Sequence, residues 1–298
     1  MDKSEPESIP ASNNGQRRDA ATAFGYPKDF LSNHFVYVVI SPRARGLSVG
    51  INLTPDKRCD FDCAYCEVNR EEPGSESVLR LDVMTTELTQ TLQQIHQGRL
   101  REYAPYRHIP AELLELRHVA LSGDGEPTLS PLFVQAIQSV VHIRAMGQFP
   151  FFKLVLITNA TGLDTAAVKY GLSFFTKEDE IWAKLDAGTQ EWMDKVNRGK
   201  VPLEKVLSNI LMIGRQRPVI IQSLFPMLNG IEPPEEEIIE YAHRLKELKE
   251  NGAQIAQVQI YSATRPTLHS EYDHLPLRSL SRIAHTVRQI SGVKTEVF

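Results

Sequence analysis

The sequence predicts an α/β fold, a partial (β/α)6 TIM-type barrel whose parallel strands form a sheet that stays open on one side. Short runs of β-branched residues alternate with longer segments of helical periodicity, and the alternation repeats six times from Tyr37 onward. Such alternation is typical of parallel strands joined by right-handed helical crossovers. The length of 298 residues suits a single barrel of roughly 250 residues. A doubly wound open sheet fits the same pattern and stays an alternative.

The six strands are expected where short aliphatic and β-branched runs occur. They are Leu47–Leu53, Leu116–Leu121, Lys153–Thr158, Ile181–Leu185, Val219–Phe225 and Val258–Tyr261. The helical segments are Val83–Ile95, Pro131–Met146, Thr165–Tyr170, Leu203–Ile213, Glu235–Lys249 and Leu277–Ile290. Ser130 before Pro131 is a typical helix start, and the acidic residues 235–237 suit the positive end of a helix dipole. In either architecture, ligands are expected at the carboxyl ends of the strands.

Composition and charge argue against several classes of protein. No window approaches the ~18 consecutive apolar residues that a membrane-spanning helix needs, and residues 1–24 are a polar stretch that we expect to be a disordered leader. Residues 25–298 are expected to form one domain. The 33 basic and 37 acidic residues give a formal net charge of -4, so charge does not support a nucleic-acid partner, although one stays possible. We expect a soluble cytoplasmic protein without a membrane partner.

The chain has three cysteines, and all of them lie in the loop after the first predicted strand. Cys59, Cys63 and Cys66 have the spacing Cys-x3-Cys-x2-Cys, which is a poor disulfide framework and suits a reducing compartment. Three thiolates on one loop can converge on one metal centre. A closed zinc site needs a fourth ligand, which would be a distant histidine such as His108 or His118. An iron-sulfur cluster with three thiolates would leave one iron open to a small molecule.

Glycines and polar side chains also follow the second and third predicted strands. Gly123, Gly125 and Pro127 would bring bare backbone close to a ligand, because glycine has no Cβ and tolerates positive φ. Glu126 offers a carboxylate in the same segment. Asn159 ends the third strand and could offer its amide to a carboxylate or a ribose, although such a residue is equally common in turns.

The last three predicted strands carry further polar candidates. Strand alternation places Lys184 and Asp186 on the same face, and a charged pair that points into a barrel is costly unless something satisfies it. Gln222 and Ser223 interrupt an apolar run, and one of them is expected to face the ligand cavity. After the sixth strand, Tyr261 and Ser262 precede Thr264 and Arg265. Arg265 is a candidate anion anchor, with a surface arginine before a proline turn as the equal alternative.

The cysteine spacing with Tyr65 before the last cysteine resembles the signature of the radical S-adenosylmethionine (radical SAM) superfamily. The resemblance implies that the three cysteines hold a [4Fe-4S] cluster and that S-adenosylmethionine (SAM) chelates the remaining iron. It also implies reductive cleavage of SAM to a 5′-deoxyadenosyl radical that abstracts hydrogen from a substrate. The segment SGDGEPTL resembles the family's Gly-Gly-Glu-Pro segment, whose backbone and acid hold the SAM ammonium, with Asp124 in place of the first glycine.

Residues 46–265 resemble an uncharacterised branch of this superfamily near the radical SAM domain of tRNA 4-demethylwyosine synthases. The resemblance implies an electron donor such as a flavodoxin or ferredoxin and an unidentified substrate. It also implies SAM contacts from these candidates: Tyr65, Gly123, Gly125, Glu126, Pro127, Asn159, Lys184, Asp186 and Gln222. Wyosine-forming enzymes use further cysteines for a second cluster, which this chain lacks, so that activity is not expected. The alternative is a binding protein on a barrel scaffold, stabilised by zinc or an iron-sulfur cluster and able to bind RNA.

Overall fold

The computed structural model describes residues 30–262 and 271–298. The predicted leader, residues 1–24, lies outside these ranges, and so do Thr264 and Arg265. The described strands are β1 (Val36–Ser41), β2 (Gly46–Asn52), β3 (Leu116–Ser122), β4 (Lys153–Thr158), β5 (Glu180–Lys184), β6 (Val219–Leu224), β7 (Met227–Leu228), β8 (Ile255–Tyr261), β9 (Tyr272–Asp273) and β10 (Thr295–Val297). The described α-helices are α1 (Leu81–His96), α2 (Phe133–Ala145), α3 (Ala166–Leu172), α4 (Gln190–Val196), α5 (Leu203–Gly214), α6 (Glu235–Glu250) and α7 (Leu277–Ser291).

Eight of the strands form one mostly parallel sheet in the order β1-β2-β3-β4-β5-β6-β8-β10. β2 to β6 and β8 are the six predicted strands, and neighbouring members of this set pair in parallel. β1 adds an antiparallel edge beside β2, and β10 adds a parallel edge beside β8. The predicted α/β architecture of an open partial barrel is therefore confirmed.

The two faces of this sheet have different partners. Alternate residues such as Leu121, Leu156 and Ile221 belong to one buried apolar core with Leu88 of α1 and Ile137 of α2. The opposite, inner face holds a small separate cluster of Ala120, Val155 and Trp182. Because strand residues alternate between faces, the helices cover the outside of the sheet and leave the polar inner residues to line the barrel interior.

The inner face contains a buried histidine that is held by its neighbours. His118 on β3 shares a hydrogen bond of 2.9 Å with the Ser48 hydroxyl on β2. Its ring meets the Trp182 ring edge to face, with 5.2 Å between the ring centres. Burial lowers the pKa of His118 to about 4, so the imidazole is neutral near pH 7.

The turn between β1 and β2 joins the two open edges of the sheet. Arg45 in this turn forms an ion pair with Glu296 on β10, at 2.7 Å. Gly50 on β2 lies directly against the Tyr37 ring of β1, where an added Cβ would come within 2.0 Å of the ring. The hairpin of β1 and β2 is thus packed tightly and reaches across the open side of the barrel.

Candidate functional site

The cysteine loop follows β2 and is fixed by the end of α4. The backbone amides of Asp62 and Ala64 donate to the carbonyls of Asn197 and Val196, at 2.9 Å and 2.7 Å. The Cys66 amide donates to the Cys63 carbonyl at 2.9 Å, which turns the chain between these two cysteines. α4 was not predicted from the sequence, and it holds the loop that carries the predicted ligands.

Each cysteine sulfur lies beside a side-chain nitrogen donor. Arg70 Nη1 lies 3.4 Å from Cys66 Sγ, and Asn197 Nδ2 lies 3.5 Å from Cys63 Sγ. Asn159 Nδ2 is 4.0 Å from Cys59 Sγ. Hydrogen bonds to cluster sulfurs are one of the means by which proteins set a cluster potential.

Burial affects the pKa of two of the thiols. Burial raises the pKa of Cys59 to about 12 and that of Cys63 to about 11. Since thiolates are the species that bind metals, binding at this loop has to displace protons.

Among the described residues, the side chains beside the three cysteine sulfurs are Arg70, Asn159 and Asn197, and neither histidine named as a possible fourth zinc ligand is one of them. His118 is held by Ser48 inside the barrel, and His108 is exposed in the segment between α1 and β3. Across residues 30–262 and 271–298, no group of three or more His, Cys, Asp or Glu side chains is arranged to hold a single metal ion.

At both glycines after β3, other protein atoms occupy the space that a Cβ would fill. Gly123 has φ +132°, and a Cβ there would lie 2.4 Å from Asn52 Oδ1. The positive φ therefore belongs to Gly123, and Asp124 is not among the residues with positive φ. A Cβ at Gly125 would lie 2.0 Å from the carbonyl oxygen of Arg58. This contact seats the glycine-rich segment against the start of the cysteine loop.

Glu126 is buried, and protein groups already occupy its carboxylate. Oε1 accepts from the Thr158 hydroxyl at 2.6 Å and from the Thr128 amide at 3.1 Å. Oε2 accepts from the Asn159 amide at 2.7 Å. Burial raises the pKa of Glu126, and these hydrogen bonds oppose that effect. The side chain ties the end of β3 to the end of β4, and its direct contact with SAM stays a prediction.

A buried polar network joins the cysteine loop to the end of β5. The hydroxyl of Tyr65 donates to Asp186, whose Oδ2 also accepts from Asn197 Nδ2 at 2.8 Å. Lys184 Nζ lies 3.6 Å from Asp186 Oδ2 and 4.8 Å from the centre of the Tyr65 ring. It also lies 3.3 Å from the hydroxyl of Tyr261. Lys184 and Asp186 thus lie close together, as their alternation along the strand predicts.

The Lys184 ammonium stays charged although its side chain is only 17% exposed. Burial acts to lower its pKa, but Asp186, Tyr261 and Cys63 together raise the pKa above the usual value. A protonated lysine next to the cysteine loop supplies a fixed positive charge there.

A cavity of about 430 Å³ opens between the inner face of the sheet and the cysteine loop; we call it the barrel cavity. Of the predicted residues, Tyr65, Cys66, Gly123, Tyr261 and Ser262 line it. Cys59 lines a separate cavity with Asp60 and Arg70. Gln222 Nε2 donates to Gln259 Oε1 at 3.1 Å on the inner face, and Ser223 bonds the Tyr241 hydroxyl of α6 on the other. Gln222 therefore lies on the inner face and Ser223 on the face that the helices cover, and neither is among the residues that line the barrel cavity.

Sequence reasoning missed three polar residues around this site. Asn197 and Arg70 contact cysteine sulfurs, and Arg43 lines the barrel cavity from the turn between β1 and β2. Arg70 lies only four residues after Cys66, so the sequence next to the cysteine motif could have suggested it as a neighbour of the sulfurs. Asn197 and Arg43 come from distant segments, and nothing in their neighbourhood in the sequence marks them.

In the described ranges, no helix is long and apolar enough to cross a membrane.

The chain has distant relatives of similar sequence. It is 23% identical over 241 residues to a UPF0026 protein of Helicobacter pylori, which covers 78% of this chain and 67% of that protein. A UPF0026 protein of Methanocaldococcus jannaschii is 24% identical over 71% of this chain and 60% of its own length. The chain therefore spans about two thirds or less of the length of these curated relatives. No profile of a known protein family matches it.

Solved structures of radical SAM proteins have a similar fold. A radical SAM methyltransferase from Sphaerobacter thermophilus has a TM-score of 0.61 and 13% identity, over 90% of this chain and 70% of that one. TYW1 with a bound lysine-pyruvate adduct has a TM-score of 0.55 and 17% identity, over 90% and 87%. SuiB of Streptococcus suis with S-adenosylmethionine has a TM-score of 0.58 and 14% identity, over 86% and 52%. The chain has the fold of these proteins, which agrees with the fold that the resemblance of its cysteine motif implies.

Proposed function

We propose that this chain is a single-cluster radical SAM enzyme. Cys59, Cys63 and Cys66 would hold a [4Fe-4S] cluster, and SAM would bind beside it at the carboxyl ends of the strands. The observation that carries the proposal is that the loop with the three thiols borders the barrel cavity, which Tyr65 and Cys66 line. When bound, the cluster and SAM supply a 5′-deoxyadenosyl radical that abstracts a hydrogen atom from the substrate.

The residues of this chain bind and orient in this proposal. Tyr65 and Gly123 would contact SAM directly, since both line the barrel cavity near Cys66. Glu126 and Asn159 would position other residues without contacting SAM. Glu126 accepts from the Asn159 backbone amide, and the Asn159 side chain donates to Asp60 Oδ1 at 2.6 Å. The remaining candidates, Gly125, Pro127, Lys184, Asp186 and Gln222, would shape the wall around them.

The carboxylates of the barrel cavity suit a cationic cofactor. Glu67 and Asp124 both line it; Glu67 directly follows Cys66, and Asp124 directly follows Gly123. SAM carries a sulfonium and an ammonium group, and nearby carboxylates stabilise such positive charge.

The proposed reaction needs a source of electrons and a reducing compartment. An electron donor such as a flavodoxin or ferredoxin would supply the electron for reductive cleavage. The three cysteines, none of them in a disulfide, favour the cytoplasm, where thiols stay reduced.

Anaerobic reconstitution tests whether the loop binds a cluster. We expect the purified chain, incubated with iron and sulfide, to turn brown and to hold iron and sulfide in the ratio of a [4Fe-4S] cluster. Cys63→Ala should lose this cluster, whereas Arg198→Gln, whose guanidinium pairs with Glu271 rather than with a cysteine, should keep it. Stoichiometric zinc in place of iron in the wild-type protein would contradict the proposal.

A further inference from the structure

One cation on the wall of the barrel cavity has no polar partner. Arg43, in the turn between β1 and β2, is partly buried and lines the cavity. Among the described residues it makes no ion pair or hydrogen bond, and its buried Nε has no partner. Its guanidinium carbon lies 4.1 Å from the centre of the Tyr261 ring. The guanidinium therefore lies over an aromatic face, and none of its N–H groups donates to another described residue.

The neighbouring cations differ from Arg43 in this respect. Arg45, two residues further along the same turn, pairs with Glu296 at 2.7 Å. Lys184 Nζ lies 3.6 Å from Asp186 Oδ2. A buried donor without a partner is unfavourable, and an anion that accepts from it removes this cost.

The charges around the barrel cavity are divided between two sides. Glu67 and Asp124 lie beside the cysteine loop and the glycine-rich segment, whereas Arg43 lies on the hairpin that crosses the open side of the barrel. A cationic cofactor fits the acidic side. The guanidinium then remains for a second, anionic group in the same cavity.

The size and the wall of the cavity restrict the ligand further. A volume of about 430 Å³ lies within the range of small-molecule sites. Aromatic rings of Tyr37, Trp182 and Tyr261 line it, and such rings suit a ligand with a flat, apolar body.

We propose that Arg43 binds the anionic group of the substrate, a small molecule with a carboxylate or phosphate on an apolar or aromatic body. A guanidinium binds either anion through two parallel hydrogen bonds, and stacking on Tyr261 holds its plane in place for this. The assignment rests on the proposed function in one respect: it takes the bound anion to be the molecule from which the radical abstracts hydrogen. SAM also carries a carboxylate, so the two sources have to be separated.

Binding of simple aryl anions tests the proposal. The probes are benzoate, phenyl phosphate and the uncharged benzamide, titrated into the reconstituted full-length protein under anaerobic conditions and followed by calorimetry. We expect at least one anion to bind wild type about tenfold more tightly than benzamide, which is about 1.4 kcal/mol. Arg43→Gln should remove this preference, and Arg43→Lys should reduce it while keeping the charge. Arg45→Gln, in the same turn but paired with Glu296, should keep it.

Three results would overturn the assignment. One is that neither anion binds wild type more tightly than benzamide, and another is that Arg43→Gln and Arg43→Lys both keep the full preference with their thermal unfolding unchanged. The third is that Arg43→Gln weakens SAM binding about tenfold but leaves anion binding intact, which would assign the guanidinium to the SAM carboxylate. If instead wild type prefers the anions through Arg43 but never cleaves SAM, the anion site stands and the proposed function fails.

Discussion

Arg70 combines two properties that would matter for the proposed iron-sulfur cluster. Its Nη1 lies 3.4 Å from Cys66 Sγ, and its guanidinium also lies 3.6 Å from Asp62. A positive charge and a donated hydrogen bond both stabilise the more negative, reduced state of an iron-sulfur cluster. Arg70 is thus the residue of this loop whose removal should be seen most clearly in the electrochemistry.

Arg70→Gln should lower the midpoint potential of the reconstituted cluster, because the reduced state loses a positive charge and a sulfur hydrogen bond. Arg198→Gln is the matched control, since Arg198 pairs with Glu271 at 2.6 Å. Redox titration followed by electron paramagnetic resonance measures both variants. An unchanged or raised potential in Arg70→Gln would contradict this role.

The buried His118 should make the free energy of unfolding depend on pH. Burial lowers its pKa to about 4 in the folded protein from an ordinary value of 6.5. As the pH falls, the unfolded chain takes up the proton first, so stability is complete above about pH 6.5 and is lost progressively toward pH 4. The loss from this residue is on the order of 3 kcal/mol. Urea unfolding at several pH values should show a weaker dependence for His118→Gln than for wild type.

A matched variant separates this effect from general acid sensitivity. His108 is exposed, and His108→Gln should keep the wild-type dependence on pH. If His118→Gln loses stability on acidification as steeply as wild type, another group is responsible.

The glycine-rich segment and the cysteine loop are held together by backbone contacts. Gly125 allows the Arg58 carbonyl to approach, and the Glu126 amide donates to that carbonyl at 2.9 Å. α4 holds the other side of the loop through Asn197. Three loops from different strand ends therefore share one rigid arrangement around the thiols.

Gly125→Ala should disturb this arrangement, because its Cβ would lie 2.0 Å from the Arg58 carbonyl oxygen. We expect the free energy of unfolding to fall by about 1–3 kcal/mol and the iron content after reconstitution to fall with it. Gly147→Ala is the control, since its Cβ would meet no atom within 4 Å and only its φ of +67° is strained. A fully iron-loaded Gly125→Ala variant would show that the contact is not needed.

Periodicity was sufficient to predict the elements that form complete crossovers. All six predicted strands and six of the helices are present, because each buries a regular pattern of apolar residues. β10 (Thr295–Val297) and α4 (Gln190–Val196) were missed because they are short. β10 has three residues and α4 has seven, which is too few to show a repeating pattern of apolar residues. β1 (Val36–Ser41) was missed as well, although it contains Tyr37, because an added antiparallel edge strand has no crossover helix to mark it.

The candidate site could be predicted only where its residues are close in sequence. The cysteine motif and the Gly125-Glu126 segment each lie within a few residues. Asn197 meets Cys63 from 134 positions away, and such a contact depends on the packing of α4 against the loop. The occupied carboxylate of Glu126 was also not predictable, because two of its partners, Thr158 and Asn159, come from the end of the next strand.

The open barrel does not depend on the cysteines for its core. The main apolar cluster runs through the strands and helices, and Cys59 and Cys63 are only partly buried residues packed against it. The cysteine loop lies outside this core, so we expect the sheet to hold together without a group bound at the loop.

Cys63→Ala should therefore give a folded protein that lacks the cluster. We expect its free energy of unfolding to change by about 1 kcal/mol, and its circular dichroism to match that of the metal-free wild type. A variant that fails to fold would favour a metal-stabilised binding protein instead.

Cleavage of SAM by the reconstituted protein is the direct test of whether this chain is a radical SAM enzyme. With a strong reductant under anaerobic conditions, the wild type should release 5′-deoxyadenosine and methionine, and Cys63→Ala should release neither. A wild-type protein that holds a full complement of zinc, or that holds the cluster and still leaves SAM intact under reduction, would contradict the account.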